Sequence, residues 1–203
     1  MLENPVYPFG TRSFLSLPAG SDRVMSSENP MAGGVQGATP ENQQERLRYE
    51  GWVVGFVDGE GCFSCPLFRS PKMTLGWQVR PEFAVVQGAS SRHVLEELVE
   101  FFGCGKVYLN RRRDNHREDL LRYCVQRIDD LRSTIVPFFM EHPLRTTKRD
   151  NFEKFATVIE MMGEGVHLTP SGLEAIAEIV ETMNHRKPSR YLRILRDHTP
   201  TTS

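Results

Sequence analysis

Residues 52–63, WVVGFVDGEGCF, decide how this 203-residue chain is read. Trp52, Val53, Val54, Phe56 and Val57 crowd together around Gly55, a density that predicts burial. Gly55 and Gly59 are four residues apart and share one helical face, where the missing Cβ atoms let another backbone come very close. The run then ends in Asp58 and Glu60, and Gly61 leads into a β-type sequence. Two neighbouring carboxylates disfavour each other's charge unless a metal ion or another cation offsets them. A helix C-terminus is also the unfavourable end for negative charge. The stretch therefore predicts a helix that is an interface along its length and a reaction centre at its tip.

Working outward, the helix is expected to begin near Pro40-Glu41, with Thr39 as its cap, and to stop around Asp58–Gly59. Its first half is charged and its second apolar, as suits a helix that enters a core from solvent. A strand follows at Cys62–Phe68, then a Ser70–Lys72 turn, then a strand from Trp77 to Gln87. In that second strand Gln78, Arg80, Glu82 and Ala84 are expected on one face, and Val79, Phe83 and Val85 on the other. Ser90-Ser91 precede a helix, Arg92–Phe102, ended by Gly103 and Gly105. Lys106–Arg112 and Leu120–Ile128 form a second hairpin. A helix over Leu131–Met140 carries Pro137, which is expected to bend its last turn. The segment Asp150–Met162 and a further helix over Gly172–Met183 have helical apolar spacing. Two strand pairs alternating with helices specify an α+β fold: a four-stranded antiparallel sheet with helices packed on one side.

The nine residues Val53-Val-Gly-Phe-Val-Asp-Gly-Glu-Gly61 match, position by position, the signature helix that the LAGLIDADG homing endonucleases are named for. The chain resembles that family over about residues 45–162. The resemblance implies an αββαββα domain whose hairpins form a saddle lying in the DNA major groove, with extra C-terminal helices here. On this reading residues 1–41 are a flexible leader, 42–162 the endonuclease domain, and 163–203 a helix and basic tail on or beside it. Leader composition, rich in Gly, Pro, Ser and Asn, supports the first boundary.

Composition qualifies the picture. Net charge is -1, yet residues 66–127 hold eleven basic residues against seven acids, whereas residues 153–184 hold one lysine against six glutamates. The average hides an asymmetric surface. No apolar run approaches a membrane span and no secretory signal is visible, so no membrane partner is expected. Four scattered cysteines read as reduced intracellular thiols, in the cytoplasm of a prokaryote or in an organelle that encodes the chain. Cys62 and Cys65 form a C-x-x-C, but Cys104 and Cys124 are not a close pair, so small buried strand residues are a better reading than zinc.

Hydrolysis of a phosphodiester by water needs cations to neutralise the transition state, and Mg²⁺ (or Mn²⁺) does this with few protein ligands. The resemblance implies Glu60 as metal ligand, standing where most members carry Asp. The carbonyl of Gly59 is a plausible second ligand, because terminal helix carbonyls lack intrahelical partners. Asp58 is implied to be mainly structural, binding backbone near a partner helix. Gln87 falls where the family places a polar residue that orders water. Lys148, with Arg145 close behind, matches the basic residue near the scissile phosphate. For contact with double-stranded DNA the exposed strand candidates are Arg69, Lys72, Gln78, Arg80, Glu82, Arg111, Arg112, Arg122 and Gln126.

This chain carries one copy of the signature, and one acid does not cut two strands. Gly55, Asp58 and Gly59 are therefore expected at a homodimer interface of C₂ symmetry, with a near-palindromic target. Two other readings stand beside it. One is a binding protein of the same fold, an intron RNA maturase or a regulator. The other is an unrelated β-sheet RNA-binding module, which the lack of an aromatic-rich exposed strand opposes.

Overall fold

Helix α1 (Pro40–Glu60) passes into strand β1 (Gly61–Ser64) with no intervening loop. Gly61 makes this junction possible: a Cβ there would lie 2.5 Å from Val57 Cγ1 and 2.7 Å from the Val57 carbonyl oxygen. The computed structural model describes residues 40–110 and 118–184. The leader up to residue 39, Arg111 and Arg112, and the basic C-terminal end lie outside the described residues.

The two long strands expected after α1 are each broken. Strand β1 stops at Ser64 and β2 (Leu67–Arg69) resumes beyond Cys65-Pro66; β3 (Trp77–Val79) stops before Arg80-Pro81, and β4 (Glu82–Gly88) follows. Proline has no N–H to give a ladder, so the hairpin kinks where Pro66 and Pro81 lie. The Arg80 N–H donates to the Pro66 carbonyl at 3.0 Å and ties the kink together. Beyond it, β2 and β3 form a small two-stranded ribbon of their own.

The main sheet is four-stranded and antiparallel, in the order β1-β4-β6-β5, with β5 at Lys106–Asn110 and β6 at Leu120–Val125. Register sets Phe63 opposite Phe83, Phe83 opposite Val125, and Val85 opposite Tyr123. These residues and Leu121 form the face that joins the core with Val53, Val57, Leu95, Leu98, Phe102, Leu131, Ile135, Phe139, Phe152 and Phe155. Phe63 stacks on Phe83 at 5.0 Å and meets Phe139, Phe152 and Phe155 within 5.5 Å, which makes it the meeting point of strand and helix layers. The other face carries Cys62, Ser64, Glu82, Ala84, Arg122, Cys124 and Tyr108 and has no helix layer over it among the described residues.

Helix α2 (Arg92–Phe102) has the expected bounds, and Gly103, at φ 63, ends it in the left-handed conformation. Around Pro137 the outcome differs from expectation. Helix α3 (Ile128–Asp130) opens into a π-helical turn (Leu131–Ile135), and α4 (Val136–Glu141) begins with the proline near its start. Pro137 therefore sits where its missing N–H matters least, and the irregularity falls upstream of it, not in the last turn. Helix α5 is Lys148–Gly163. Helix α6 (Pro170–Glu181) is capped by Thr169, whose Oγ1 accepts from the Gly172 N–H at 3.1 Å. Leu173, Ile176, Ala177 and Met183 join the same core. Asn184 Nδ2 donates to the Phe63 carbonyl at 2.7 Å, filling an acceptor on the sheet's free edge.

Candidate functional site

The end of α1 meets the start of α5, and three side chains organise the junction. Asp58 accepts from the Arg145 N–H at 2.8 Å, from the Thr146 N–H, and from Thr146 Oγ1 at 2.7 Å. Burial pushes the Asp58 carboxyl upward, but those hydrogen bonds, with the Lys148 charge, outweigh it and hold the group below the usual aspartate value. Asp58 is thus bound to its own chain, pinning the loop that feeds α5.

Lys148 reaches back across the junction. Its Nζ donates to the Val57 carbonyl at 2.9 Å and the Gly59 carbonyl at 3.0 Å. Helix-end carbonyls have no intrahelical donor, and an ammonium there also answers the dipole. Burial draws the Lys148 ammonium below the ordinary lysine value, against the opposite pull of Asp58, Cys62 and Glu60. The Arg145 side chain, in contrast, is exposed, and it is the backbone N–H of Arg145 that reaches Asp58.

Glu60 is exposed at the tip, with no hydrogen bond to a described residue. Gln87 lies two residues past Val85, the partner of Gly61, so it belongs to the sheet end that receives the tip. It is half-buried and has the parity of Phe83 and Val85, the helix-side face. The set for a cation is the Glu60 carboxylate and the second lone pair of the Gly59 carbonyl, whose first accepts from Lys148; both are hard oxygen donors that suit Mg²⁺. Among the described residues no three His, Cys, Asp or Glu side chains converge.

Among the described residues, nothing covers one face of α1. A Cβ added at Gly51, Gly55 or Gly59 would meet nothing within 4 Å. Of the apolar run only Val53 and Val57 are fully buried; Trp52, expected in a core, is 39% exposed and stacks on Phe56 at 5.1 Å.

The nine expected DNA-contact residues divide. Arg69 and Lys72 are exposed on or beside the ribbon, and the Arg69 guanidinium lies over Trp77. Arg80 is exposed, sits 5.2 Å from the centre of the Phe68 ring and donates to Gln78 Oε1 at 3.2 Å. Arg111 and Arg112 lie outside the described residues. Glu82 corrects the expectation of an exposed arm: it is 8% exposed, ion-paired with Arg122 and hydrogen-bonded by Gln126. Its burial comes from these partners on β6 and just past it, since Val79 and Phe83 both turn into the core and Glu82 stays on the opposite face. Two residues escaped sequence reasoning. Thr146 binds Asp58, and only its place just before a helix start hinted at capping. Phe68, 43% exposed, reads as core in an apolar strand, but its strand position opposite Gln78 turns it outward.

The fold and junction can be set beside known proteins: a family model described as LAGLIDADG endonuclease matches residues 53–159. The chain belongs to that family. It is 31% identical over 140 residues to "Probable intron-encoded endonuclease 3" of Neurospora crassa, a match covering 68% of this chain and 25% of that protein. Among solved structures, the homing endonuclease I-TnaI is 40% identical with a TM-score of 0.63, over 73% of this chain and 93% of its own. I-SmaMI, bound to uncleaved DNA target in the presence of calcium ions, is 31% identical with a TM-score of 0.66, over 73% of this chain and 49% of its own. The chain spans a quarter to a third of the length of the first curated relatives it matches.

The Asp58 bonds carry an expectation of their own. Asp58→Asn is expected to lower the stability of the metal-free protein by about 1–2 kcal/mol at neutral pH, the worth of a capping carboxylate. Because the folded value lies below the unfolded one, this stabilisation is complete above the ordinary aspartate value of about 3.9 and is lost as pH falls through the folded value. Thermal unfolding from pH 7 to pH 3 should therefore show the variant and the native protein converging in acid. A constant gap would assign the effect to packing.

Proposed function

We propose that two copies of this chain form a site-specific DNA endonuclease that cuts both strands of a near-palindromic target by metal-dependent phosphodiester hydrolysis. The observation that carries the reading is the α1 tip: an exposed carboxylate, Glu60, with no hydrogen bond to a described residue, beside the Gly59 carbonyl, with a lysine ammonium held at the same helix end. Bound there, Mg²⁺ or Mn²⁺ would lower the pKa of an attacking water and neutralise charge on the phosphate. Glu60 and the Gly59 carbonyl would hold it. Lys148 adds a fixed positive charge where negative charge develops, and Arg145 offers a second, mobile one. Gln87, at the adjoining sheet end, has the donor and acceptor needed to orient water.

The bare Gly55/Gly59 face, with exposed Trp52, supports a helix-to-helix homodimer. The DNA-bound relative, about half of which this chain covers, supports a unit that works in pairs. Arg69, Lys72, Gln78 and Arg80 on the ribbon supply contacts to double-stranded DNA, and Arg111 and Arg112 are assigned there from sequence. The test is a cleavage selection with Mg²⁺ against a randomised palindromic library. Enrichment of symmetric sites of roughly two helical turns, about 20 base pairs, is the expected result. Enrichment of asymmetric sites, or none, would overturn it.

Arg80→Ala is expected to relax sequence preference at one symmetric pair of positions by about 1–3 kcal/mol, the worth of a bidentate base contact. Profiling cleavage of single-substitution targets measures this, and a uniform loss would reassign Arg80 to phosphate.

A further inference from the structure

Glu82 begins β4 on the face that has no helices over it, yet its side chain is buried. Its three partners all come from β6 or the residue just past it. Arg122 forms an ion pair with Oε1, Gln126 Nε2 donates to Oε2 at 2.6 Å, and Cys124 Sγ approaches Oε2 at 3.1 Å. The core does not use this cluster, since Phe83 and Val125 turn to the other face of the same strands. A carboxylate withdrawn from water is costly unless its lone pairs are filled, and here the donors that fill them are two of the residues assigned to DNA contact.

We infer that Glu82 is a specificity-determining positioning residue, which acts through Arg122 and Gln126 and does not itself read the DNA. The inference rests on the reading that this sheet face lies on DNA. Its chemistry is definite. An ionised carboxylate only accepts, so Gln126 must turn its amide nitrogen inward, leaving its carbonyl oxygen and remaining N–H for a base edge. Arg122 without a partner would be a long, mobile cation that strengthens binding to every sequence alike. Paired with Glu82 it forms a unit of no net charge, and its other N–H groups point in a fixed direction. The carboxylate thereby exchanges sequence-independent attraction for directional reading, and it limits the side-chain entropy lost on binding.

Glu82→Gln removes the charge and keeps the shape. Three quantities are measured on the full chain: cleavage of single-substitution targets, affinity for DNA lacking the site across a salt series, and thermal unfolding. Arg122→Gln is the reference. In Glu82→Gln the preference at the positions that respond to Arg122→Gln is expected to relax about tenfold. Affinity for unrelated DNA is expected to rise, and its logarithmic salt slope to steepen by about 0.9 for each copy of the chain. In the Arg122→Gln background, Glu82→Gln is expected to change preference no further. Glu82→Asp, which keeps the charge but withdraws it by one methylene, should retain the native salt slope and still lose preference; it carries the test if Glu82→Gln does not fold. If Arg122→Gln shifts preference and neither Glu82 variant does, the inference fails while the reading of the face stands. If Arg122→Gln shifts nothing, the reading of the face fails at this residue and takes the inference with it. A uniform loss on all sequences with a lowered melting temperature would make Glu82 structural only.

Discussion

Replacing Glu60 by Gln is expected to abolish magnesium-dependent cleavage and leave binding of the same DNA intact. The carboxylate is exposed at the tip of α1 and makes no hydrogen bond to a described residue, so the fold loses only its attraction to the Lys148 charge. Its neighbours have separate duties: Asp58 holds the loop into α5, and Lys148 holds the helix-end carbonyls. The amide keeps the shape but removes the charge that would attract a divalent cation. A metal contributes several kcal/mol to the transition state, so the rate should fall by at least about 10³-fold. Single-turnover cleavage and a binding titration in Ca²⁺ give the two readouts. Cleavage within tenfold of the native rate would move the ligand role elsewhere, and lost binding with unchanged thermal unfolding would make Glu60 a DNA contact.

Gly55→Leu carries the second large effect, and here two measurements should move apart. Within one chain a side chain at position 55 meets nothing, and leucine favours a helix over glycine by about 1 kcal/mol, so thermal stability of the single chain should hold or rise. At a two-fold helix-to-helix contact the same leucine is met twice. Overpacking costs about 1–3 kcal/mol per site, so the dimer should weaken by at least about 30-fold, with cleavage of both strands falling alongside. Sedimentation velocity across a dilution series checks it. An unchanged dimer would remove α1 from the interface and leave its bare glycine face unexplained.

Much of this molecule is local and was readable as such. Helix α2 and its Gly103 stop follow from apolar spacing and a single left-handed position. The passage from α1 to β1 follows from a glycine at a place where a Cβ would strike Val57. The α+β class follows from the alternation of two periods. The breaks at Pro66 and Pro81 were equally legible, since a proline cannot donate to a ladder wherever it falls. Glu82 does lie on the expected face, but its burial against Arg122 and Gln126 was not legible.

Charged side chains were another matter. The sequence by itself determined that the chain belongs to a strand-and-helix architecture ending one helix in two carboxylates. Tertiary structure alone decided what each polar group does. Asp58 finds its partners 87 and 88 residues away, Lys148 finds its carbonyls 91 and 89 residues back, and Glu82 meets Gln126 across 44. Burial patterns arise from periods of two and 3.6 residues, which any short window displays. The partner of a charge depends on which distant elements the packed core brings to the same place, and no local period records that.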